Sequence, residues 1–106
     1  MANFVLLYSG GSMPATEAEQ AAILQVWGTW YDRLGSAVVD PGNPFTPIAK
    51  SIASDGTVSD DPVGTMATGY TILTADSLNA AVEMAKSCPV LQGGGQISVY
   101  ETFNVM

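Results

Sequence analysis

Two aspartates stand side by side, Asp60 and Asp61, directly before Pro62 in the stretch ASDGTVSDDPVGTMATGY (residues 53–70). A carboxylate held near a pocket can serve as a general base once burial or a neighbouring acid raises its pKa. Adjacent side chains on an extended chain point to opposite sides, so at most one of the two faces a given pocket. The structural alternative is an Asx-type turn, in which an aspartate before proline organises the backbone at a strand end, and it carries the greater weight. Tyr8 and Tyr70 stand at an end and a start of strand-like segments. A phenol there can orient a carbonyl or act as a weak acid, although a core or rim position with the hydroxyl in water is the commoner role. Trp27 and Trp30, three residues apart, share one face of a helix. They fill the space between helix and sheet, or one of them walls an apolar ligand cavity.

Other chemistry is harder to assemble. Histidine is absent, which removes the commonest general base and metal ligand together. Cys88 is the single cysteine, so no internal disulfide or multi-cysteine zinc site forms, in keeping with a reducing cytoplasm. Near a helix C-terminus its thiol sits at the negative end of the dipole, which disfavours the thiolate nucleophile. The ten carboxylates are spread along the chain without a ligand cluster, so neither a metal nor a cofactor is expected. The glycine-rich SGGSM (9–13) lacks the lysine of a phosphate loop, and GGG (93–95) reads as a connection.

Composition narrows the partners. Three Lys and Arg against ten Asp and Glu give a formal net charge of −7. Arg33, Lys50 and Lys86 are scattered, whereas neutralising phosphates takes clustered cations. Nucleic acid and anionic membranes are thereby excluded. No apolar run approaches the roughly 20 residues of a spanning helix, and the N-terminal apolar stretch has no basic flank of the signal-peptide kind.

The 106 residues support one domain, 1–106. NFVLLY (3–8) reads as a buried strand. TEAE (16–19) matches a capping box, and the helix behind it aligns Ile23, Trp27, Trp30 and Leu34 on one stripe, with Gly35 as its stop. A short strand follows around Ala37–Val39. Residues 48–54 and 56–60 flank Asp55-Gly56, a strong hairpin signal. YTILTA (70–75) is a strand, and DSLNAAVEMAKSCP is a helix capped by Asp76 or Ser77. Its inner face carries Leu78, Ala81, Val82, Ala85 and Cys88, and Pro89 ends it. QISVYETF (96–103) is a final half-buried strand. The order predicts an α+β, ferredoxin-like β-α-β-β-α-β fold with an antiparallel sheet. Two helices cover one face of four strands, yet FVLLY and YTILTA are apolar on both parities. A second copy, packed sheet to sheet, is the expected cover.

The LLY strand before a glycine-rich loop, the DG-x-V-x-D-x-P segment, GYTILTADSLNAAVEMAKSCP and the terminal ISVYE together resemble the YCII-related family, in its DGPF-domain branch. The resemblance spans essentially the whole chain. It implies a dimeric α/β barrel, two ferredoxin-like sheets facing each other around ligand pockets. Where the branch has Asp-Gly-Pro-Phe, this chain has Asp60-Asp61-Pro62-Val63, with Asp60 in the place of the branch aspartate. Some members carry a first-helix histidine suspected of acid–base work, and that region here holds Trp27 and Trp30.

Two functions are consistent with these residues. One is a cytoplasmic homodimer binding a small apolar or neutral organic molecule between sheet and helices, in a pocket lined by Tyr8, Met13, Trp27, Trp30, Met66 and Tyr70. The other is a cofactor-free lyase or isomerase acting on a small organic acid or lactone, with Asp60 or Asp61 as base and a tyrosine such as Tyr8 as orienting donor. The missing histidine and the negative charge favour the first.

Overall fold

Alternation along two long strands sets the architecture. In β1 (Ala2–Ser9) Phe4, Leu6 and Tyr8 are buried, with Val5 and Leu7 half-buried on the opposite side. The same period recurs in β5 (Ala67–Ala75), where Thr71, Leu73 and Ala75 are buried between half-buried Tyr70, Ile72 and Thr74. The computed structural model describes residues 2–11 and 15–105. In it β1 and β5 are central and antiparallel, pairing Phe4 with Leu73 and Leu7 with Tyr70. Strand β6 (Gln96–Glu101) pairs with the far edge of β1, and β2 (Val38–Asp40) with the far edge of β5. The order β2-β5-β1-β6 is that of a ferredoxin-like α+β sheet.

Both helices lie on one face. Helix α1 (Glu17–Leu34) begins as its sequence prescribes: the Thr16 hydroxyl accepts from the Glu19 amide at 3.1 Å, and the Glu19 carboxylate accepts from the Ala15 amide at 3.0 Å. Trp30 is the one fully buried residue of this helix, and its indole Nε1 donates to the Met84 carbonyl and to Ser87 Oγ. Ile23, expected on the same inner stripe, is 40% exposed, because α1 leans on the sheet only through its C-terminal half. Helix α2 (Leu78–Ala85) is capped by Ser77, whose hydroxyl accepts from the Ala80 amide. It stops three residues before Cys88. Pro89 then opens a 3-10 turn (Pro89–Gly93), so Cys88 reaches the core from the connection. The core joins Leu6, Tyr8, Trp30, Leu73, Ala85 and Cys88, with a second cluster of Phe4, Ala75 and Ala81.

The hairpin announced by Asp55-Gly56 forms, but stands apart from the main sheet. Strands β3 (Ser51–Ile52) and β4 (Val58–Ser59) pair only with each other. Gly56 adopts φ +91°, a value that glycine reaches without steric cost. The Asp55 carboxylate accepts from the Thr57 amide at 2.9 Å, closing an Asx turn. With both helices on one side, the sheet's other face stays open, and the whole is a slab of 44 × 41 × 19 Å. Val5, Leu7, Tyr70, Ile72, Ser98 and Tyr100 line that open face by register.

Candidate functional site

The edge strand β2 places a carboxylate where simple alternation would not. Val38 pairs with Leu73 and packs into the core, so strict period 2 would send Asp40 the same way. A register irregularity between Val38 and Asp40 instead pairs Asp40 with Ile72, an open-face position. Bulges re-aim side chains in this manner. Asp40 is half-buried, whereas the other nine Asp and Glu of the chain are exposed.

Asp40 is held from several directions. One oxygen, Oδ1, accepts from the Gly42 amide at 2.9 Å, and Oδ2 accepts from the Tyr70 hydroxyl at 3.2 Å. The next residue is pinned from the helix side, since the Pro41 carbonyl accepts from Thr71 Oγ1 and from the Tyr31 hydroxyl, both at 3.0 Å. Gly42 has φ +74°, and a Cβ there would lie 1.7 Å from the Tyr70 carbonyl oxygen, so only glycine fits. The negative charge of Asp40 holds the Tyr70 phenol above its ordinary pKa. The pair is thus a carboxylate with a protonated phenol donating to it.

Next to this pair is an apolar groove of about 290 Å³. Leu7 comes from β1, Phe45 and Ile48 from the chain leading to the hairpin, and Pro62, Val63 and Met66 from the chain leaving it. Leu7 is the cross-strand partner of Tyr70, and the Phe45 ring stacks on the Tyr70 ring at 5.8 Å between centroids. The groove therefore approaches Tyr70 through Leu7 and Phe45, while neither Tyr70 nor Asp40 is among its lining residues. None of the residues lining the groove is ionisable. A second depression, about 180 Å³, lies between α2 and β6 beside Val82, Leu91 and Ile97.

The residues singled out in the sequence fall into separate groups. Tyr8, Trp27 and Trp30 come together on the helix side, with the rings of Tyr8 and Trp27 5.6 Å apart and those of Trp27 and Trp30 5.8 Å apart, all edge to face. This is packed interior: Tyr8 is 5% and Trp30 2% exposed. The Tyr8 hydroxyl donates to Thr71 Oγ1 at 2.6 Å, and burial raises its pKa far above 10.0. Met66 and Tyr70 belong to the opposite, open face. The space between the sheet and α1 is filled by these aromatics, and the larger of the two cavities lies on the other side of the sheet. Met13 lies outside the described residues.

Asp60 and Asp61 are exposed, and Asp60 pairs with Lys50 across the base of the hairpin. Neither carboxylate accepts from a backbone amide among the described residues. The Asx geometry expected of them occurs at Asp55 and Asp40 instead. Pro62 and Val63, directly after them, line the groove, so the pair stands at its margin. Among the described residues no three His, Cys, Asp or Glu side chains converge as metal ligands, and no helix is long and apolar enough to cross a membrane.

Asp40 went unnoticed in the sequence because its partners, Tyr70 and Gly42, mark no motif. The available signal was VVDPGN itself, an aspartate two residues before a glycine at the end of a short strand.

No family model matches the chain, and no curated protein matches it. Among solved structures it is similar to a 5-chloro-2-hydroxyhydroquinone dehydrochlorinase (TftG) from Burkholderia phenoliruptrix, determined in complex with 2,5-dihydroxybenzoquinone. The TM-score is 0.56 at 13% sequence identity, over 95% of this chain and 93% of that one. At that identity the likeness is one of fold.

Proposed function

We propose that this protein binds a small neutral organic molecule in the groove on the open face of its sheet. The observation that carries this is the position of the groove: an apolar, half-open cavity beside a structured carboxylate–phenol pair, on a face no helix covers. A volume of about 290 Å³ is at the lower end for ligand sites and suits a single-ring compound. Native mass spectrometry of the purified protein tests it directly. A bound small molecule lost on Leu7→Trp, which fills the groove, supports the reading. A bound molecule that survives this substitution contradicts it.

The protein further acts as a homodimer with open faces packed together, a dimeric α/β barrel of the YCII-related, DGPF-type kind. Its support is electrostatic and geometric. Of the sheet residues facing that side, Asp40 alone carries a formal charge at neutral pH, although the chain carries a net −7. Two copies can therefore meet there without like-charge repulsion, and would cover Val39, Phe45 and Tyr100, which are 51%, 43% and 57% exposed. Sedimentation giving a monomer at micromolar concentration would refute this assembly.

A second reading, cofactor-free lyase or isomerase chemistry, is favoured by the Asp40–Tyr70 pair and by the activity named for the structural neighbour. Its base is Asp40, or Asp60 or Asp61 at the groove margin. Single Asp→Asn variants of the three, assayed for turnover of small lactones and hydroxylated rings, distinguish them.

A further inference from the structure

The two edges of the main sheet are built differently. Strand β2 is three residues long, carries a register irregularity and runs straight into Pro41. Shortness, irregularity and proline are devices that keep an edge from pairing with another chain. Strand β6 forms the opposite edge and has none of them. It runs for six residues in unbroken register with β1, without proline, glycine or lysine, and Glu101 is its one charge. The register also shows which backbone groups it leaves free. The Thr102 amide donates to the Asn3 carbonyl at 2.9 Å, and alternate residues of an antiparallel strand bond to the same neighbour. Gln96, Ser98 and Tyr100 therefore bond to β1, while the N–H and C=O of Ile97, Val99 and Glu101 point away from the sheet. Among the described residues nothing pairs with them.

An apolar seat borders this edge on the helix side. It is the depression of about 180 Å³ lined by Val82, Ala85, Lys86, Leu91, Ile97 and Val99, and Lys86 is engaged by Glu83. Directly after β6, Phe103 and Val105 are 82% and 79% exposed. Alternation continued from Val99 and Glu101 sends both to the helix side. The same stretch of chain thus carries a free edge, a seat beside it and apolar side chains that lack a seat.

We propose that β6 pairs with β6 of a second copy of this chain, antiparallel about a two-fold axis at Ser98. Ile97 then lies opposite Val99 of the partner subunit, both on the helix side. Each such pair exchanges both of its N–H···O bonds, because both residues point outward. The chain beyond β6 brings Phe103 and Val105 over the partner's depression, beside the partner's Leu91. Residues 96–100 carry no charge, so two copies with a net −7 each meet here without like charges opposed across the strands. A register centred on Val99 would set the Glu101 carboxylate against Ile97 at the apolar seat, at a desolvation cost. This contact uses the strand edge and the helix side, so it does not rest on the packing of open faces. Where both form, the edge contact joins two such dimers.

Sedimentation velocity and amide hydrogen exchange test the pairing on the whole chain, at the concentrations used for NMR. Phe103→Asp puts a charge at an exposed position and should halve the mass of the assembly, whether or not the open faces also pack. In the parent protein the Ile97 and Val99 amides should exchange at least about tenfold more slowly than in Phe103→Asp. The Ser98 and Tyr100 amides, bonded to β1, should stay protected in both, which shows that the variant keeps its sheet. Leu91→Asp, on the receiving side, should act as Phe103→Asp does. An unchanged mass in Phe103→Asp, or Ile97 and Val99 amides that exchange as freely in the parent as in the variant, overturns the pairing. A variant that sediments as a monomer refutes the open-face dimer instead and leaves the edge contact standing.

Discussion

Thr71 is the most informative single position for the account of the core. Its side chain is wholly buried, accepts from the Tyr8 hydroxyl at 2.6 Å and donates to the Pro41 carbonyl at 3.0 Å. Thr71→Val keeps the shape and deletes the hydroxyl. The Pro41 carbonyl still receives the Tyr31 hydroxyl, so it is not orphaned. The Tyr8 hydroxyl, buried among Trp27, Trp30 and Cys88, loses its oxygen partner, and an unsatisfied buried donor costs about 1–3 kcal/mol. Tyr8→Phe removes the same hydrogen bond from the other end, but Thr71 still donates to Pro41 and nothing is stranded, so the cost is about 0.5–1.5 kcal/mol. The double variant should cost less than the two singles together, with a coupling of roughly 0.5 kcal/mol or more. Urea unfolding followed by tryptophan fluorescence measures all four proteins, at one fixed concentration because association would contribute to stability. If Tyr8→Phe proves as costly as Thr71→Val, or the two effects simply add, the reasoning about the stranded hydroxyl is wrong.

Burial raises the pKa values of Tyr8 and Tyr31. Their raised folded values mean that stability is fully present below about pH 10, the ordinary tyrosine value. It falls above that pH, because the unfolded chain ionises first; the alkaline loss should be shallower in Tyr8→Phe, read as urea midpoint against pH. Two glycines should respond oppositely in thermal unfolding. Gly42→Ala collides with the Tyr70 carbonyl and should cost at least about 2 kcal/mol, whereas Gly28→Ala, mid-helix with open space around its Cβ, should stabilise by about 0.5–1 kcal/mol. Asp60→Asn breaks only an exposed ion pair with Lys50, so its unfolding midpoint should shift by no more than about 0.5 kcal/mol in equivalent stability.

Local signals carried most of the fold. Thr16 and Glu19 mark the start of α1, Asp55-Gly56 closes the hairpin, and the apolar, strand-like runs of residues 3–8 and 70–75 mark the two central strands, each through contacts a few residues long. What was hidden depends on pairing across the chain. The irregularity between Val38 and Asp40 exists only because β2 meets β5, and it alone turns Asp40 onto the open face. Tyr70 is thirty residues away in another element, so no spacing rule links it to Asp40. Trp27 and Trp30 were legible as sharing one helix face, whereas their meeting with Tyr8, Thr71 and Cys88 in the packed core depends on pairing across the chain. The adjacency of Asp60 and Asp61 drew attention that the fold does not reward with burial, since the hairpin holds both in water.

The groove on the open face is tested most directly by mapping amide shifts in ¹⁵N-labelled protein as phenol is added. Saturable changes centred on Leu7, Phe45, Met66 and Tyr70 are the predicted result. Changes centred on Trp27, Trp30 and Tyr31, on the helix side of the sheet, would contradict it.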